Sequence, residues 1–211
     1  ILALFKNTGL NEFYGATESP VVVYLKPRDI FRKNRCVGKP LLGTDVKILD
    51  EKGNEVPIGE VGELYTKNLM LMDGYYKETK PSFKNGYFSA GDLAMKDEEG
   101  YYYIVDRKVD MIISGGVNIY PVEIEEVVSK HPKVAEVAVI GVPDDLWGES
   151  VKAIIVLKQG GECTQEEIIR FCEGKIAGYK KPKSVDFVRE IPKNPSGKIL
   201  KREIRKKYWE G

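Results

Sequence analysis

Histidine and cysteine are scarce in this 211-residue sequence, and their scarcity excludes several kinds of site. The single histidine, His131, precedes Pro132 where a helix is predicted to end. We therefore interpret it as a surface or capping residue and exclude Ser–His and Cys–His catalysis. The three cysteines, Cys36, Cys163 and Cys172, are widely spaced and include no Cys-x-x-Cys pair. They predict neither a disulfide framework nor a zinc site, and they fit a reducing compartment, which we take to be the cytoplasm.

Two further absences concern membranes and phosphates. No apolar run approaches the roughly 20 residues that a membrane span needs, so we expect no membrane span. The chain has no Gly-x-x-x-x-Gly-Lys-[Ser/Thr] phosphate loop, although Lys198 follows Ser196 and Gly197 in the turn-rich stretch IPKNPSGKILKRE. Because the chain starts at Ile1 without a basic leader, we interpret it as a piece of something longer.

The charged residues are unevenly distributed, although the net charge is only +1. Residues 175–207 hold twelve Lys and Arg against Asp186, Glu190 and Glu203, which gives this basic block +9 and leaves −8 for the rest. Such a block is typical of a solvated face, of a site for a small phosphorylated ligand, or of a nucleic-acid surface. Because RNA-binding signatures and zinc-finger spacing are missing, we expect no nucleic-acid partner and leave the other two readings open.

The hydrophobic pattern changes near residue 107. Residues 1–106 are β-rich: GTDVKILD and GYYYIVD each predict a strand, and KGNEVPIGEVGELYTK predicts two strands around Gly and Pro turns. In residues 107–211, the predicted strands VAEVAVIGV, VKAIIVLK and SVDFVRE alternate with the predicted helices YPVEIEEVVSKH, TQEEIIRFCEGKIAG and KILKREIRKKYW. The predicted fold class is α+β, with a tight, hinge-like boundary near Arg107–Asp110.

Several stretches combine glycine with ligand-binding side chains. In EFYGATES, Tyr14 could stack on a base, and Gly15 permits a close backbone approach. Thr17 and Glu18 could hold oxygen atoms and Mg²⁺, and a plain strand end explains the same residues equally well.

Two later stretches are ambiguous in the same way. In FSAGDLA, Asp92 could accept both hydroxyls of a ribose, although Gly-Asp is common in plain turns. In VDRKVDMIISGGVNIYPVEIE, Arg107 could bind a ribose or a phosphate. The Gly115-Gly116 pair of that stretch could let a ligand pass close to the backbone.

The order of these stretches resembles the adenylate-forming superfamily of acyl-CoA synthetases, luciferases and peptide-synthetase adenylation domains. The motifs YGATES, GELYTKNLMLMDGYY, GYFSAGDL, DRKVDMIISGGVNIYPVEIE and NPSGKILKRE cover essentially the whole chain. SGGVNIYPVEIE and GVPDDLWGESV look most like the fatty-acyl and aryl CoA ligases. The resemblance implies that residues 1–106 are the end of a large ATP- and acyl-binding domain, whose phosphate loop lies upstream of this chain. It also implies that residues 107–211 are a small, mobile lid domain.

The resemblance implies a two-step ligase reaction. A carboxylate and MgATP give acyl-AMP and pyrophosphate, and the CoA thiol then displaces AMP. Lys198 matches the catalytic lysine, whose ammonium would offset the repulsion between the carboxylate and the phosphates. Glu18 matches the Mg²⁺ contact. The implied ATP and AMP contacts are Phe13, Tyr14, Gly15, Ala16, Thr17, Asp92 and Arg107.

The resemblance also implies that the lid turns between the two steps and brings a CoA-binding face to the acyl-AMP. The residues of that face are Gly115, Gly116, Trp147, Tyr179 and Lys181, and the basic block suits the 3′-phosphate of CoA. Trp147 fits an ordinary core or edge aromatic equally well.

Two positions depart from the family pattern. The hinge falls at Val109 and Asp110. At the position of Val109 the family commonly has Asp or Lys, and a β-branched residue such as valine restricts the backbone rotation that a pivot needs. SAGDL replaces the common RTGDL, which puts a side-chain contact from positions 89–90 in doubt.

The implied function is therefore an AMP-forming carboxylate–CoA ligase of fatty-acid metabolism or of aryl acids, with this chain inactive alone. A carrier-protein-dependent adenylation enzyme and a non-catalytic CoA- or nucleotide-binding module remain open. So does a homo-oligomer.

Overall fold

A computed structural model describes residues 8–77 and 83–210. They form two compact units, one ending at Lys108 (unit 1) and one beginning at Val109 (unit 2). The mixed α+β class predicted from the sequence is confirmed. Within the described ranges, no helix is long and apolar enough to cross a membrane.

Unit 1 is built from short strands. Its strands within the described residues are β1 Glu12–Ala16, β2 Ser19–Leu25, β3 Lys39–Pro40, β4 Asp45–Leu49, β5 Gly62–Lys67, β6 Phe83–Lys84, β7 Tyr87–Phe88, β8 Asp92–Lys96 and β9 Tyr102–Arg107. β1, β2 and β3 form one antiparallel sheet. In the second sheet, β5 is central: β4 pairs along one edge, and β7 and β8 share the other edge.

The core of unit 1 is formed by apolar residues of β2 and of the second sheet. Val22 and Val23 of β2 pack with Ile48, Leu64 and Tyr102, each from a different strand of the second sheet. The predicted strands GTDVKILD and GYYYIVD are confirmed as β4 and β9. The prediction of two strands in KGNEVPIGEVGELYTK is wrong. Only β5 forms there, because its first half makes Gly turns and a single bridge from Glu55 to Leu49.

Unit 2 mixes strands and helices. It begins in a 3₁₀ turn, Lys108–Asp110, which straddles the unit boundary. Its further elements within the described residues are β10 Ile112–Ser114, β11 Val117–Ile119, α1 Pro121–Val128, β12 Val134–Asp144, β13 Gly148–Leu157, α2 Gln165–Phe171, the 3₁₀ turn Gly178–Lys180, β14 Ser184–Phe187 and α3 Lys201–Trp209.

The sheet of unit 2 is apolar on both faces. β12 and β13 form a long antiparallel hairpin, and β10 and β14 both pair with the other edge of β13. Val137, Val139 and Val151 face a cluster that includes Ile124 of α1 and Ile168 of α2. On the opposite face, Ala138, Ile140 and Ile154 pack with Ile191 and with Ile204 of α3. This double burial explains the continuous apolar runs in both strands.

The starts of α1 and α2 agree with the sequence prediction, whereas α3 begins at Lys201, three residues after the predicted start, because Ile199 forms a bridge with Lys193. Pro121 occupies the first turn of α1. The Thr164 hydroxyl caps α2 by accepting from the Glu167 amide at 3.2 Å, which is one half of the predicted capping box, while the Glu167 carboxylate pairs with Lys133. The prediction that this helix runs to Gly178 is wrong, because α2 stops at Phe171 and turns follow.

Candidate functional site

The hairpin of β1 and β2 carries the YGATES motif. Its register shifts between Tyr14 and Ala16, which makes a bulge at Gly15. A Cβ on Gly15 would lie 1.9 Å from the carbonyl oxygen of Pro20, so the chain itself occupies the space that a side chain would need. The close backbone approach predicted at Gly15 therefore occurs within the hairpin. Thr17 and Glu18 form the two-residue turn.

Tyr14 meets the two predicted ribose contacts. Its hydroxyl donates to Oδ2 of Asp92, 78 positions away, and Nε of Arg107 lies 2.9 Å from Oδ1 of the same carboxylate. Asp92 and Arg107 are direct cross-strand partners in β8 and β9. Burial and the bond to Asp92 raise the pKa of Tyr14 well above its ordinary value, so the hydroxyl stays a donor. Three residues singled out separately in the sequence are thus one hydrogen-bonded cluster.

The other residues of the motif surround this cluster differently. Phe13 is 62% exposed and stacks on Tyr24 at 5.0 Å between ring centroids. Ala16 lines a small cavity of about 10 Å³ together with Tyr14. The backbone oxygen of Glu18 accepts from the Met72 amide at 2.9 Å.

A second polar network in unit 1 was missed by sequence reasoning. Ser89 Oγ donates to Glu63 Oε1 at 2.7 Å, and Lys108 Nζ donates to Oε2 at 2.8 Å. The Lys108 amide also donates to the Gly91 carbonyl at 2.8 Å. Burial alone would raise the pKa of Glu63, but the bonds from Lys108 and Ser89 outweigh it and lower that pKa. Ser89 of the unusual SAGDL stretch thus makes a side-chain contact within unit 1. The sequence did not predict this contact.

Lys198 lies on a loop that one asparagine organises. Oδ1 of Asn194 accepts from the amide of Ser196 at 3.0 Å, from its hydroxyl at 2.8 Å and from the amide of Lys198 at 2.9 Å. Gly197 takes φ +83°, which a glycine tolerates. Within residues 8–77 and 83–210, the exposed Lys198 ammonium has no ion-pair partner. The predicted shaped loop is confirmed.

Gly115, Gly116 and Trp147 meet at one end of the unit 2 sheet. The Gly115 amide donates to the Trp147 carbonyl at 2.8 Å, and a Cβ on Gly115 would lie 2.6 Å from the indole Cε3. Gly116 takes φ +79°, and a Cβ there would meet nothing within 4 Å. Backbone conformation alone therefore accounts for glycine at 116. Trp147 is 49% exposed and covers Gly115.

Tyr179 and Lys181 lie on another loop of unit 2. Tyr179 is 54% exposed in the 3₁₀ turn, and Lys181 Nζ lies 3.4 Å from Glu173. Half of the twelve cations of the basic block likewise have acidic partners among the described residues, and five of these six partners lie outside the block, so they offset part of its charge excess. These cations are Lys180, Lys181, Lys193, Lys201, Arg205 and Lys206.

His131 contradicts its sequence interpretation. It is 4% exposed, packs edge-on against Phe171, and lies with Cys163 and Glu167 in a cluster whose ligand atoms are within 4.8 Å of one another. Nδ1 of His131 accepts from the Lys133 amide, which assigns the ring proton to Nε2 and disfavours a metal there. Burial lowers the pKa of His131 and raises that of Cys163, the reverse of an activated pair.

Two family models match this chain. The family model described as AMP-binding enzyme matches residues 1–76, and the model of the AMP-binding enzyme C-terminal domain matches residues 123–198. Together they cover most of the chain, which belongs to this family within the adenylate-forming superfamily.

The relatives are ligases. The long-chain-fatty-acid–CoA ligase of Escherichia coli O6:H1 is 46% identical over 199 residues, which span 93% of this chain and 35% of that relative. The 2-succinylbenzoate–CoA ligase of Bacillus cereus (strain ATCC 10987) is 42% identical over 204 residues, which span 95% and 42%. The chain thus spans 35–42% of the length of these curated relatives.

Solved structures agree with the fold. The o-succinylbenzoate CoA synthetase from Bacillus subtilis in complex with the acyl-adenylate intermediate OSB-AMP has a TM-score of 0.88 and 35% identity, over 95% of this chain and 42% of that one. ATP-bound MatB from Rhodopseudomonas palustris has a TM-score of 0.87 and 36% identity, over 94% and 40%.

Proposed function

We propose that this chain is the C-terminal part of an AMP-forming carboxylate–CoA ligase, acting on a fatty or an aryl acid. The carboxylate and MgATP give acyl-AMP and pyrophosphate, and the CoA thiol then displaces AMP. The observation that carries the proposal is the cluster of Tyr14, Asp92 and Arg107, which joins three sequence motifs of the family into one polar site. Membership of the AMP-binding family supports the same reaction.

Unit 1 would bind the nucleotide. The ring of Tyr14 would stack on adenine, with Phe13, Gly15 and Ala16 beside the base and Thr17 at the phosphates. Both carboxylate oxygens of Asp92 already accept one bond each, and a carboxylate has about four lone-pair positions. Ribose hydroxyls would therefore use the remaining positions, beside the Arg107 guanidinium.

Glu18 is the residue that would hold Mg²⁺. Its side chain has no ion-pair partner within residues 8–77 and 83–210, and it lies on the turn that follows the Tyr14 strand. One carboxylate together with substrate phosphates is the usual protein contribution to a Mg²⁺ site, so the residue fits. The ion would offset phosphate charge when bound.

Lys198 would serve the first step. Attack of a carboxylate on ATP brings anions together, and an unpaired ammonium on a fixed loop stabilises that charge without first breaking an ion pair. The bonds of Asn194 hold this loop in shape before substrate arrives.

Gly115, Gly116, Trp147, Tyr179 and Lys181 would bind CoA in the second step. Lys181 offers a charge for a CoA phosphate, and the exposed faces of Trp147 and Tyr179 offer apolar contact. The second step would follow a turn of residues 107–211 about Val109 and Asp110. We also propose that the enzyme works in the cytoplasm, in line with three free thiols.

The test uses the complete ligase, meaning a protein of the full length of its relatives that includes this chain. Incubated with MgATP, CoA and a panel of fatty and aryl acids, it should release pyrophosphate and form acyl-CoA, whereas residues 1–211 alone should form none. If none of the acids in the panel leads to pyrophosphate release, the proposal is contradicted. If the acyl group of acyl-AMP passes only to a carrier protein, the acceptor is that carrier protein and not CoA.

A further inference from the structure

Arg205 of α3 holds the residue at the predicted pivot. Its Nη1 donates to the carbonyl oxygen of Val109 at 2.9 Å. The same guanidinium lies 5.2 Å from the Trp209 ring, and Nη2 lies 3.5 Å from Glu149 Oε1. The Arg205 side chain is only 25% exposed. A planar guanidinium with several partners holds its acceptors in a fixed direction, which an ammonium does not.

Glu149 holds the far end of the same segment. Its second carboxylate oxygen, Oε2, accepts from the Ile113 amide at 3.1 Å, and its side chain is 17% exposed. Next to it, Gly148 pairs with Ser114 at the start of β13. Arg205 and Glu149 thus contact each other and hold the carbonyl at 109 and the amide at 113. Gly115 and Gly116 follow directly.

The residue before Val109 is held inside unit 1 instead. The Lys108 amide donates to Gly91, and its ammonium donates to Glu63, each at 2.8 Å. Because peptide bonds are planar, four dihedral angles, φ and ψ of Lys108 and of Val109, remain between the Lys108 amide and the Val109 carbonyl. The Val109 side chain is 72% exposed, so rotation there displaces no packed group of its own.

We propose that Arg205 and Glu149 are positioning residues that clamp segment 109–113 onto unit 2. The change of orientation between the two half-reactions is then absorbed between the Lys108 amide and the Val109 carbonyl, and the Gly115-Gly116 turn reaches acyl-AMP undeformed. This inference rests on the proposed function. Its specific consequence is that the clamp serves CoA transfer, because the Lys198 loop is organised separately by Asn194.

Amide hydrogen exchange tests the clamp without any activity. In the complete ligase, a peptide covering residues 109–116 should exchange faster after Glu149→Ala and after Arg205→Gln. Arg170→Gln, which removes the same charge from an exposed position on α2, should leave that peptide unchanged. Unaltered exchange in both clamp variants would overturn the inference, whatever the enzyme's activity.

Half-reaction kinetics test the role. With pre-formed acyl-AMP, Arg205→Gln and Glu149→Ala should each lower transfer to CoA about tenfold, the size of one charged hydrogen bond, while pyrophosphate release changes by less than about twofold. The double variant should be no slower than either single one, and Arg205→Lys should recover part of the rate.

Three kinetic outcomes would contradict the positioning role. They are an additive double variant, equal losses in both half-reactions, and loss of transfer in Arg170→Gln as well. A wild-type enzyme that makes no acyl-AMP would instead contradict the proposed function, and the exchange experiment would still decide the clamp.

Discussion

The two units hold their candidate residues in opposite ways. In unit 1, Tyr14 and the pair Asp92 and Arg107 come from distant strands and bond directly to one another. In unit 2, Lys198 and Gly116 lie on separate loops, each shaped by bonds close in sequence or by a glycine φ. Residues of the first kind should act as a set, and residues of the second kind should each serve one step.

The largest expected effect tests the independence of the unit 2 loops. Lys198→Ala in the complete ligase should lower acyl-AMP formation about 100-fold, the scale of one lost preorganised electrostatic donor. Transfer from pre-formed acyl-AMP to CoA should hardly change. Lys158→Ala, at another exposed turn of unit 2, is the matched control. Equal losses in the two half-reactions would mean that the lysine loop is not independent.

The next effect tests whether the unit 1 residues act as a set. Tyr14→Phe keeps the ring and removes the hydroxyl bond to Asp92, so AMP affinity measured by calorimetry should fall about tenfold. Tyr24→Phe removes an exposed hydroxyl bond to Asn11 in the same hairpin and should change little.

A double-mutant cycle completes the test of unit 1. Tyr14→Phe combined with Arg107→Gln should lower AMP affinity by less than the product of the single effects, because both residues act on the Asp92 carboxylate. Strictly multiplicative effects would show that the hydroxyl and the guanidinium contribute independently.

Substitutions at Gly116 distinguish two reasons for a glycine there, its backbone conformation and space for a ligand. Asparagine tolerates positive φ better than alanine does, yet it is larger. Gly116→Ala should therefore lower the melting temperature more than Gly116→Asn. If pantetheine passes here, CoA transfer at a permissive temperature should be several-fold slower in Gly116→Asn than in Gly116→Ala. The two variants would then rank in the opposite order to their melting temperatures. The same order in both measurements would remove Gly116 from the CoA face.

The smallest effect concerns Lys181, which already has Glu173 as a partner. Lys181→Gln should raise the KM for CoA about two- to fivefold, the range of an exposed ion pair, and the difference should shrink as salt is added. The KM for ATP should stay constant. A CoA KM that ignores both the substitution and the salt would leave the basic block as a solvated surface.

Local patterns predicted much of unit 2. Continuous apolar runs identified β12 and β13, and the capping box located the start of α2. They failed where tertiary contacts decide: the burial of His131 against Phe171 depends on α2 approaching the turn after α1. The early end of α2 was missed because nothing within its sequence breaks the helical period before Gly174.

Motif order predicted which residues of unit 1 matter, but not how they connect. The hydroxyl of Tyr14 was read only as part of a stacking ring, whereas it bonds to Asp92. The Ser89–Glu63–Lys108 network had no sequence signal, since its members are 19 to 45 positions apart in the chain. The basic block looked stronger in sequence than in space because most of its acidic partners, Glu123, Glu125, Glu136 and Glu149, are remote in the chain.

The loop around Lys198 has a consequence for the chemical ageing of the enzyme. Its shape depends on the carboxamide of Asn194, and asparagine deamidates when the backbone nitrogen of the next residue attacks that carboxamide. Here the next residue is Pro195, whose nitrogen carries no proton. We therefore expect Asn194 to resist conversion to aspartate during long storage, so that the loop keeps its neutral organiser and an extra negative charge does not arise four residues from the lysine.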